Sequence, residues 1–243
     1  MVEDATEEFL GEVPFARQTI CDLHEIVTDR TITLPTGQRL RSEHIQALGI
    51  QLGTDAGWNQ LAFQLETALV QSHGSTVLSD TFLYEVVETL SFAKKPLYGI
   101  LHETIYSRGL ATRWAAQRVY DERRYGSGDC ARLTGEAVFP WMFNSDPALV
   151  PFEGAAHILA GADGLEDPYT LDILERNRVP VVAAVHDKDI FVPAAISLET
   201  AARVGNLRVV RNSKYRHDGI RSDGENLLNS MFEVMDEESI STD

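Results

Sequence analysis

The chain has 243 residues, of which 44% are hydrophobic, so it is long enough to bury a sizeable core in one large or two small domains. Its 21 basic and 37 acidic side chains give a formal net charge of −16. Because such a surface repels phosphate backbones, we expect no nucleic-acid partner.

The sequence shows no sign of export or of membrane insertion. No stretch approaches the ~20 apolar residues of a membrane span, and residues 1–10 are acidic and lack the parts of a signal peptide. Cys21 and Cys130 form no CxxC pair, so we expect neither a disulfide framework nor a zinc knuckle. These observations favour a reducing, cytoplasmic location and no membrane partner.

Apolar residues at helical spacing predict that residues 1–160 are mainly helical. One repeat follows Thr54 or Asp55 as its cap, and another follows Ser79 and Asp80. The repeating residues are Trp58, Leu61, Leu65 and Leu69, then Leu83, Val86, Val87 and Leu90. Further helices are expected over 15–27, 96–106 and 112–120, with one short strand at 31–34.

The pattern changes near residue 167, where Asp167 and Pro168 predict the start of a short helix. The continuous apolar run 179–185 is typical of a strand covered on both faces, and 207–210 predicts a second strand. Helices are expected over 193–204 and after a capping box at 222–225. The resulting β-α-β-α segment requires parallel strands, and two such strands leave an open sheet edge. The remaining strands must therefore come from elsewhere.

Acidic and histidine side chains follow the two predicted strands, at the edge where an open α/β sheet binds its ligands. Asp187 and Asp189 follow the first strand, and His217 follows the second, 28 residues after Asp189. This chain order matches the acid and base of a Ser…Asp…His triad. Taken singly, each residue is equally compatible with a turn or cap aspartate and a loop histidine.

Several segments resemble the bacterial proline iminopeptidase family of α/β-hydrolases, in the same order along the chain. They are 46–53, 96–106 (PLYGILHETIY), 133–143 (LTGEAVFPWMF), 179–185 (VPVVAAV), 198–203 and 215–221 (YRHDGIR). The resemblance implies a partial α/β-hydrolase fold, in which residues 1–160 form a mostly helical cap or lid. Residues 161–243 would then be the C-terminal, β-α-β-α part of the parallel-sheet core.

The family's enzymes release N-terminal proline from peptides through a serine acyl-enzyme, and the resemblance implies no metal or other cofactor. By position, Asp189 resembles the triad acid, with Asp187 as its rival, and His217 resembles the base. The family tends to have an acidic residue where Lys188 stands and a tyrosine where Phe191 stands, so the match around the acid is imperfect.

The cap of this family supplies carboxylates that pair with the free amine of the substrate. Glu103 and Glu136 stand at the matching positions, and the alternative is that both are solvated glutamates. Nearby aromatic side chains could wall a proline pocket or could simply form the core of the lid. They are Tyr98, Tyr106, Trp114, Trp141 and Phe143.

The sequence contains neither a G-x-S-x-G nucleophile motif nor the family's earlier glycine-rich oxyanion loop. A zinc-binding H-E-x-x-H motif at His102 fails because position 106 is Tyr106, so we expect no metal. The chain alone should be inactive, and it should require a separate N-terminal hydrolase half or self-association as its partner. A truncated product and a non-catalytic peptide-binding protein remain the alternatives.

Overall fold

The computed structural model describes residues 1–106, 109–166 and 169–236, and most of the described chain up to Gly161 is helical. The elements in this part are α1 (Val2–Glu12), α2 (Ala16–Asp29), α3 (Ser42–Ala47), α4 (Asp55–Glu66), β1 (Leu69–Ser72), β2 (Ser75–Leu78), α5 (Asp80–Leu90), α6 (Pro96–His102), α7 (Ala115–Glu122) and α8 (Glu153–Gly161). Short 3-10 helices are formed by Leu48–Gly53, Glu103–Tyr106, Pro140–Asn144 and Val150–Phe152. We call residues 1–161 the helical region.

The predicted caps are confirmed at two helices. The Thr54 side chain accepts a hydrogen bond from the backbone N–H of Gly57 at the start of α4, and Ser79 accepts one from Phe82 at the start of α5. The helix expected over 96–106 ends at His102 and continues as a 3-10 turn, and the helix expected over 112–120 begins at Ala115.

A β-hairpin lies where no strand was expected. Strand β1 pairs antiparallel with β2, and Leu69, which the sequence pattern placed in a helical repeat, lies opposite Leu78. His73 and Gly74 make the turn with φ angles of 49° and 77°, the left-handed conformation that tight hairpins require. The strand expected at 31–34 is reduced to a single bridge between Thr33 and Arg39.

The helical region closes around a core of its own. The apolar faces of α1, α2, α4 and α5 meet in it, because each helix repeats its apolar residues at helical spacing. Fully buried members include Phe9, Ile20, Leu23, Leu61 and Phe82. A second cluster forms around the 3-10 turn Pro140–Asn144, where Phe143 is fully buried.

The cysteine expectation was wrong, because Cys21 of α2 and Cys130 are joined by a disulfide with their Cα atoms 5.1 Å apart. The two residues are separated by 109 positions, and sequence spacing alone carries no signal for such a contact. Disulfides persist in oxidising compartments, so this pairing removes the support that the cysteines gave to a reducing, cytoplasmic location.

The remaining described chain alternates helix and strand, and we call residues 169–236 the C-terminal region. Its elements are α9 (Leu171–Glu175), β3 (Val181–His186), α10 (Ala194–Ala201), β4 (Leu207–Asn212), α11 (Gly219–Ser222) and α12 (Gly224–Asp236). Strands β3 and β4 are parallel, as predicted, and pair from Val181 with Leu207 to His186 with Asn212. The helix start predicted at Asp167 and Pro168 lies outside the described residues.

Both strands of this sheet are only half-buried along most of their length, unlike the helices of the first core. The predicted domain division at residue 160 stays a prediction, although the change from helices to a parallel sheet occurs near it. Ile190, from the C-terminal region, packs in the core of the helical region. Within the described chain, every helix is too short or too polar to cross a bilayer.

Candidate active site

Asp189 and His217 lie side by side after the ends of β3 and β4. The Nδ1 atom of His217 is 2.9 Å from Oδ2 of Asp189, which is hydrogen-bonding distance. The register of the sheet explains this contact, because His186 at the end of β3 pairs with Asn212 at the end of β4. Two loops that leave the same edge of a parallel sheet therefore bring the carboxylate to the imidazole.

Two backbone N–H groups hold the carboxylate of Asp189 in place, in addition to its contact with the histidine. The residue is 6% exposed, and its Oδ1 atom accepts hydrogen bonds from the backbone N–H groups of Phe191 and Val192 at 2.8 and 2.9 Å. These two bonds engage Oδ1 and leave Oδ2 directed at the imidazole. An anion held in this way keeps the proton of His217 on Nδ1, so that Nε2 can act as a base.

Asp187, the rival for the acid, makes different contacts. Its two carboxylate oxygens accept hydrogen bonds from Ser213 Oγ and Arg211 Nε, each at 2.6 Å, and both bonds lower the pKa of Asp187. Asp189 is thus the carboxylate that contacts His217. Asp187 instead contacts Arg211 and Ser213, near the exposed end of β4.

The helical region holds the histidine from the other side. The backbone N–H of His217 donates to the carbonyl of Gly53 at 3.0 Å, and the Phe191 ring meets the imidazole edge-on with centroids 5.0 Å apart. A side chain at position 53 would overlap the Phe191 ring, so glycine permits this close packing. The His217 side chain remains 46% exposed, which leaves space for a reacting group.

Glu103 is a buried carboxylate with one oxygen unused. The residue is 1% exposed, and its Oε1 atom accepts the backbone N–H of Ala115, the first residue of α7, at 2.6 Å. Arg113 and Trp114 have φ angles of 50° and 59°, and this left-handed pair turns the chain toward the carboxylate just before Ala115. Within the described chain, Oε2 of Glu103 has no hydrogen-bond partner.

Glu136 lies among tyrosines next to Glu103. Its carboxylate accepts the Tyr98 hydroxyl, and its backbone carbonyl accepts the Tyr106 hydroxyl at 3.3 Å. Burial, together with the negative charge of Glu136, raises the pKa of both phenols, and the charge of Glu103 adds to the effect at Tyr106. Both tyrosines therefore remain hydrogen-bond donors at neutral pH.

A cavity of about 300 Å³ lies beside Glu136. Ile190, next to Asp189, lies on its wall together with Glu136 and Ala115, the residue that binds Glu103. Tyr106 lines it, as the sequence suggested, whereas Phe143 belongs to the second core cluster. Three further aromatic side chains in its wall were not among the predicted pocket residues, although one lies within the segment 133–143 and the other two precede it. They are Tyr120, Tyr125 and Phe139.

His102 is the least expected residue of this cluster. It is 4% exposed, both of its ring nitrogens are without partners among the described residues, and the rings of Tyr98 and Tyr106 flank it. Burial lowers the pKa of His102, so the neutral ring is favoured. The described residues contain no group of side chains arranged to hold a metal ion.

Comparison with known proteins gives this geometry a context. No family model matches the chain. "Proline iminopeptidase" of Aeromonas sobria is 35% identical over 236 residues, which cover 96% of this chain and 55% of that protein. "Proline iminopeptidase aneH" of Aspergillus aculeatus is 28% identical over 206 residues, 82% of this chain and 45% of that protein.

The chain therefore spans about half the length of the curated relatives it matches. These relatives imply an α/β-hydrolase fold, and a small parallel sheet beside a helical region is consistent with part of one. The chain belongs to the proline iminopeptidase family.

Proposed function

We propose that this chain supplies the acid and the base of a serine aminopeptidase that releases N-terminal proline from peptides. Asp189 is the acid, His217 is the base, and the serine and the oxyanion loop come from polypeptide outside these 243 residues. The observation that carries the proposal is the 2.9 Å contact between His217 Nδ1 and Asp189 Oδ2. Pairs of this kind activate a serine hydroxyl.

In the proposed reaction, Nε2 of His217 removes the proton of the serine hydroxyl as the oxygen attacks the carbonyl carbon of the prolyl residue. The imidazolium that forms is stabilised by Asp189 and then donates the proton to the leaving amine. Water repeats the sequence on the acyl-enzyme and releases proline. The two backbone hydrogen bonds to Asp189 support this role, because they hold the carboxylate in place.

The same proposal assigns Glu103 and Glu136 to the free amine of the substrate. The secondary ammonium of N-terminal proline has two N–H bonds, and Oε2 of the buried Glu103 is an acceptor without a partner among the described residues. A desolvated carboxylate binds such a cation strongly, whereas an uncharged peptide nitrogen would leave its charge unpaired. This explains a preference for peptide ends.

The open sheet supports the need for a partner. Parallel strands are normally covered on both faces, yet β3 and β4 are half-buried along most of their length. We infer that the missing strands belong to an N-terminal hydrolase half, which would also bring the serine to the exposed side of His217. Pairing with a second copy of this chain is the alternative.

The test combines the chain with the unmatched part of the Aeromonas sobria relative. The purified chain should neither hydrolyse a prolyl aminomethylcoumarin nor react with a fluorophosphonate, and the mixture should do both. In the mixture, Asp189→Asn should reduce turnover by about 10⁴-fold, and His217→Gln should abolish it. Asp187→Asn is the matched control and should retain activity. Labelling of this chain by itself would contradict the proposal.

A second candidate is a protein that binds proline-terminal peptides without cleaving them. It is favoured by the Oε2 atom of Glu103, which has no partner among the described residues, because binding an amine through this atom requires no serine. Calorimetric titration with proline amide should show binding that is lost in Glu103→Gln and retained in Glu88→Gln, an exposed control. Binding together with a mixture that never becomes active would favour this candidate over the enzyme.

A further inference from the structure

The residues that immediately precede the acid and the base contact the same atom. Lys188, before Asp189, lies 3.3 Å from Oε1 of Glu8, and Arg216, before His217, lies 3.8 Å from that same oxygen. Glu8 belongs to α1, so an element near the start of the chain meets both loops of the candidate site. These loops thus share one anchor in the helical region.

Arg216 makes two further contacts with the helical region, to Trp58 and Asp55. Its side chain is 7% exposed, its guanidinium carbon lies 3.8 Å from the centre of the Trp58 ring, and its Nε atom is 3.2 Å from Oδ1 of Asp55. A buried cation is costly unless it is paired, and a planar guanidinium can stack on an indole while donating hydrogen bonds from its edge. Two residues of α4 provide these contacts, since Asp55 pairs with the cation and Trp58 supplies the indole.

We propose that Arg216 is a positioning residue, which fixes the His217 loop on the helical region through Trp58 and Asp55 and thereby holds the imidazole on Asp189. The proposal rests on the proposed function, since it assigns a purpose to the geometry of the same pair. Two further contacts act in the same direction. The Gly53 carbonyl accepts the N–H of His217, and Glu8 draws together Lys188 and Arg216.

The same arrangement accounts for the two departures from the family pattern around the acid. Lys188, where the family tends to have an acidic residue, pairs with Glu8. Phe191, where the family tends to have a tyrosine, packs between Gly53 and the His217 ring. Lys188 and Glu8 are 45% and 40% exposed, so this ion pair contributes less than the buried stack of Arg216.

The experiment uses the full chain and follows the Nδ1 proton of His217, which a hydrogen bond to a carboxylate shifts far downfield in the NMR spectrum. The signal is assigned by its loss in His217→Gln. Arg216→Met, which keeps the apolar stem, should lose the signal while circular dichroism remains that of a folded chain. Arg216→Lys, which keeps the charge without the planar group, should move the signal upfield and weaken it by faster exchange with water.

Arg211→Met is the matched control, because Arg211 is an exposed arginine of β4 that pairs with Asp187 rather than Asp189. It should retain the signal unchanged. An unaltered signal in a folded Arg216→Met or Arg216→Lys chain overturns the positioning role and leaves the proposed function intact. If Arg216→Met fails to fold, the signal of Arg216→Lys decides between these outcomes. Absence of the signal from the unaltered chain overturns the pair itself, and with it both proposals.

Discussion

The helical region and the C-terminal region bury their apolar side chains to very different extents. Phe9, Ile20 and Phe82 of the helical region are 0% exposed. In the C-terminal region, Ile196 on α10 and Phe232 on α12 are 59% and 60% exposed. Amphipathic helices can close a core among themselves, but a parallel sheet requires covering layers and further strands.

The comparison shows where the candidate site gains its rigidity. Asp189 and His217 come from the C-terminal region, whose strands are only half-buried, yet the groups that fix the histidine loop belong to the helical region with its closed core. They are the Gly53 carbonyl and the Asp55 and Trp58 side chains of α4. The site is therefore built at the junction of the two regions.

The largest effect expected from this difference is a contrast between two identical substitutions. Leu65→Ala, at a residue that is 1% exposed on α4, should lower the free energy of unfolding by about 2–5 kcal/mol through the cavity that it leaves. Leu228→Ala, at a residue that is 41% exposed on α12, should cost less than about 1 kcal/mol. Urea unfolding followed by tryptophan fluorescence measures both. Equal costs would contradict the comparison.

The second effect concerns the disulfide, which lies wholly within the helical region. Cys130→Ser opens a loop of 109 residues and should lower the free energy of unfolding by about 2–5 kcal/mol, because the unfolded chain gains conformational freedom. A reductant should destabilise the unaltered chain by a similar amount and leave Cys130→Ser unchanged. If the reductant has no effect on the unaltered chain, the two cysteines are not joined in solution.

Local signals in the sequence predicted much of this structure. The caps Thr54 and Ser79 act on the N–H groups of their own helices, so their role is readable from neighbouring residues. The pairing of Asp189 with His217 followed from the order of strands, since parallel strands end at one edge. Glu103 and Glu136 came from the family resemblance alone, and their pairing with the free amine of the substrate remains a prediction.

What the sequence did not predict depends on distant contacts or on a misleading period. Leu69 continues the helical spacing of α4, which hid a hairpin that His73 and Gly74 could have revealed as a turn. The stack of Arg216 on Trp58 joins residues far apart in the chain, and no local pattern records such a contact. The disulfide was missed for the same reason.

The third effect tests the junction itself. Gly53→Ala places a methyl group into the Phe191 ring, so we expect a loss of about 1–3 kcal/mol in the free energy of unfolding and a displaced His217 signal. Gly154→Ala on α8 is the matched control, because its methyl group would meet open space. That variant should be neutral or slightly more stable. A wild-type His217 signal in Gly53→Ala would show that this packing does not fix the loop.

The smallest effect is a pH dependence that belongs to the helical region. His44 is 3% exposed, and burial, aided by the charge of Arg41, lowers its pKa to about 4. An unfolded histidine has a pKa of about 6.5. Between these values the unfolded chain binds a proton that the folded chain excludes, so the stabilisation is complete above pH 6.5 and is lost as the pH falls toward 4.

His44→Gln isolates this contribution, because glutamine suits the same helix position and does not titrate. From pH 6 to pH 5 the unaltered chain should lose about 1 kcal/mol more of its free energy of unfolding than the variant does. The half-buried His24 and the buried His102, whose pKa values burial also lowers, are common to both chains and cancel in the difference. Urea unfolding at the two pH values provides the measurement. Equal losses in the two chains would mean that His44 is protonated in the folded state or is open to water, and the helical region would then be less closed than its core implies.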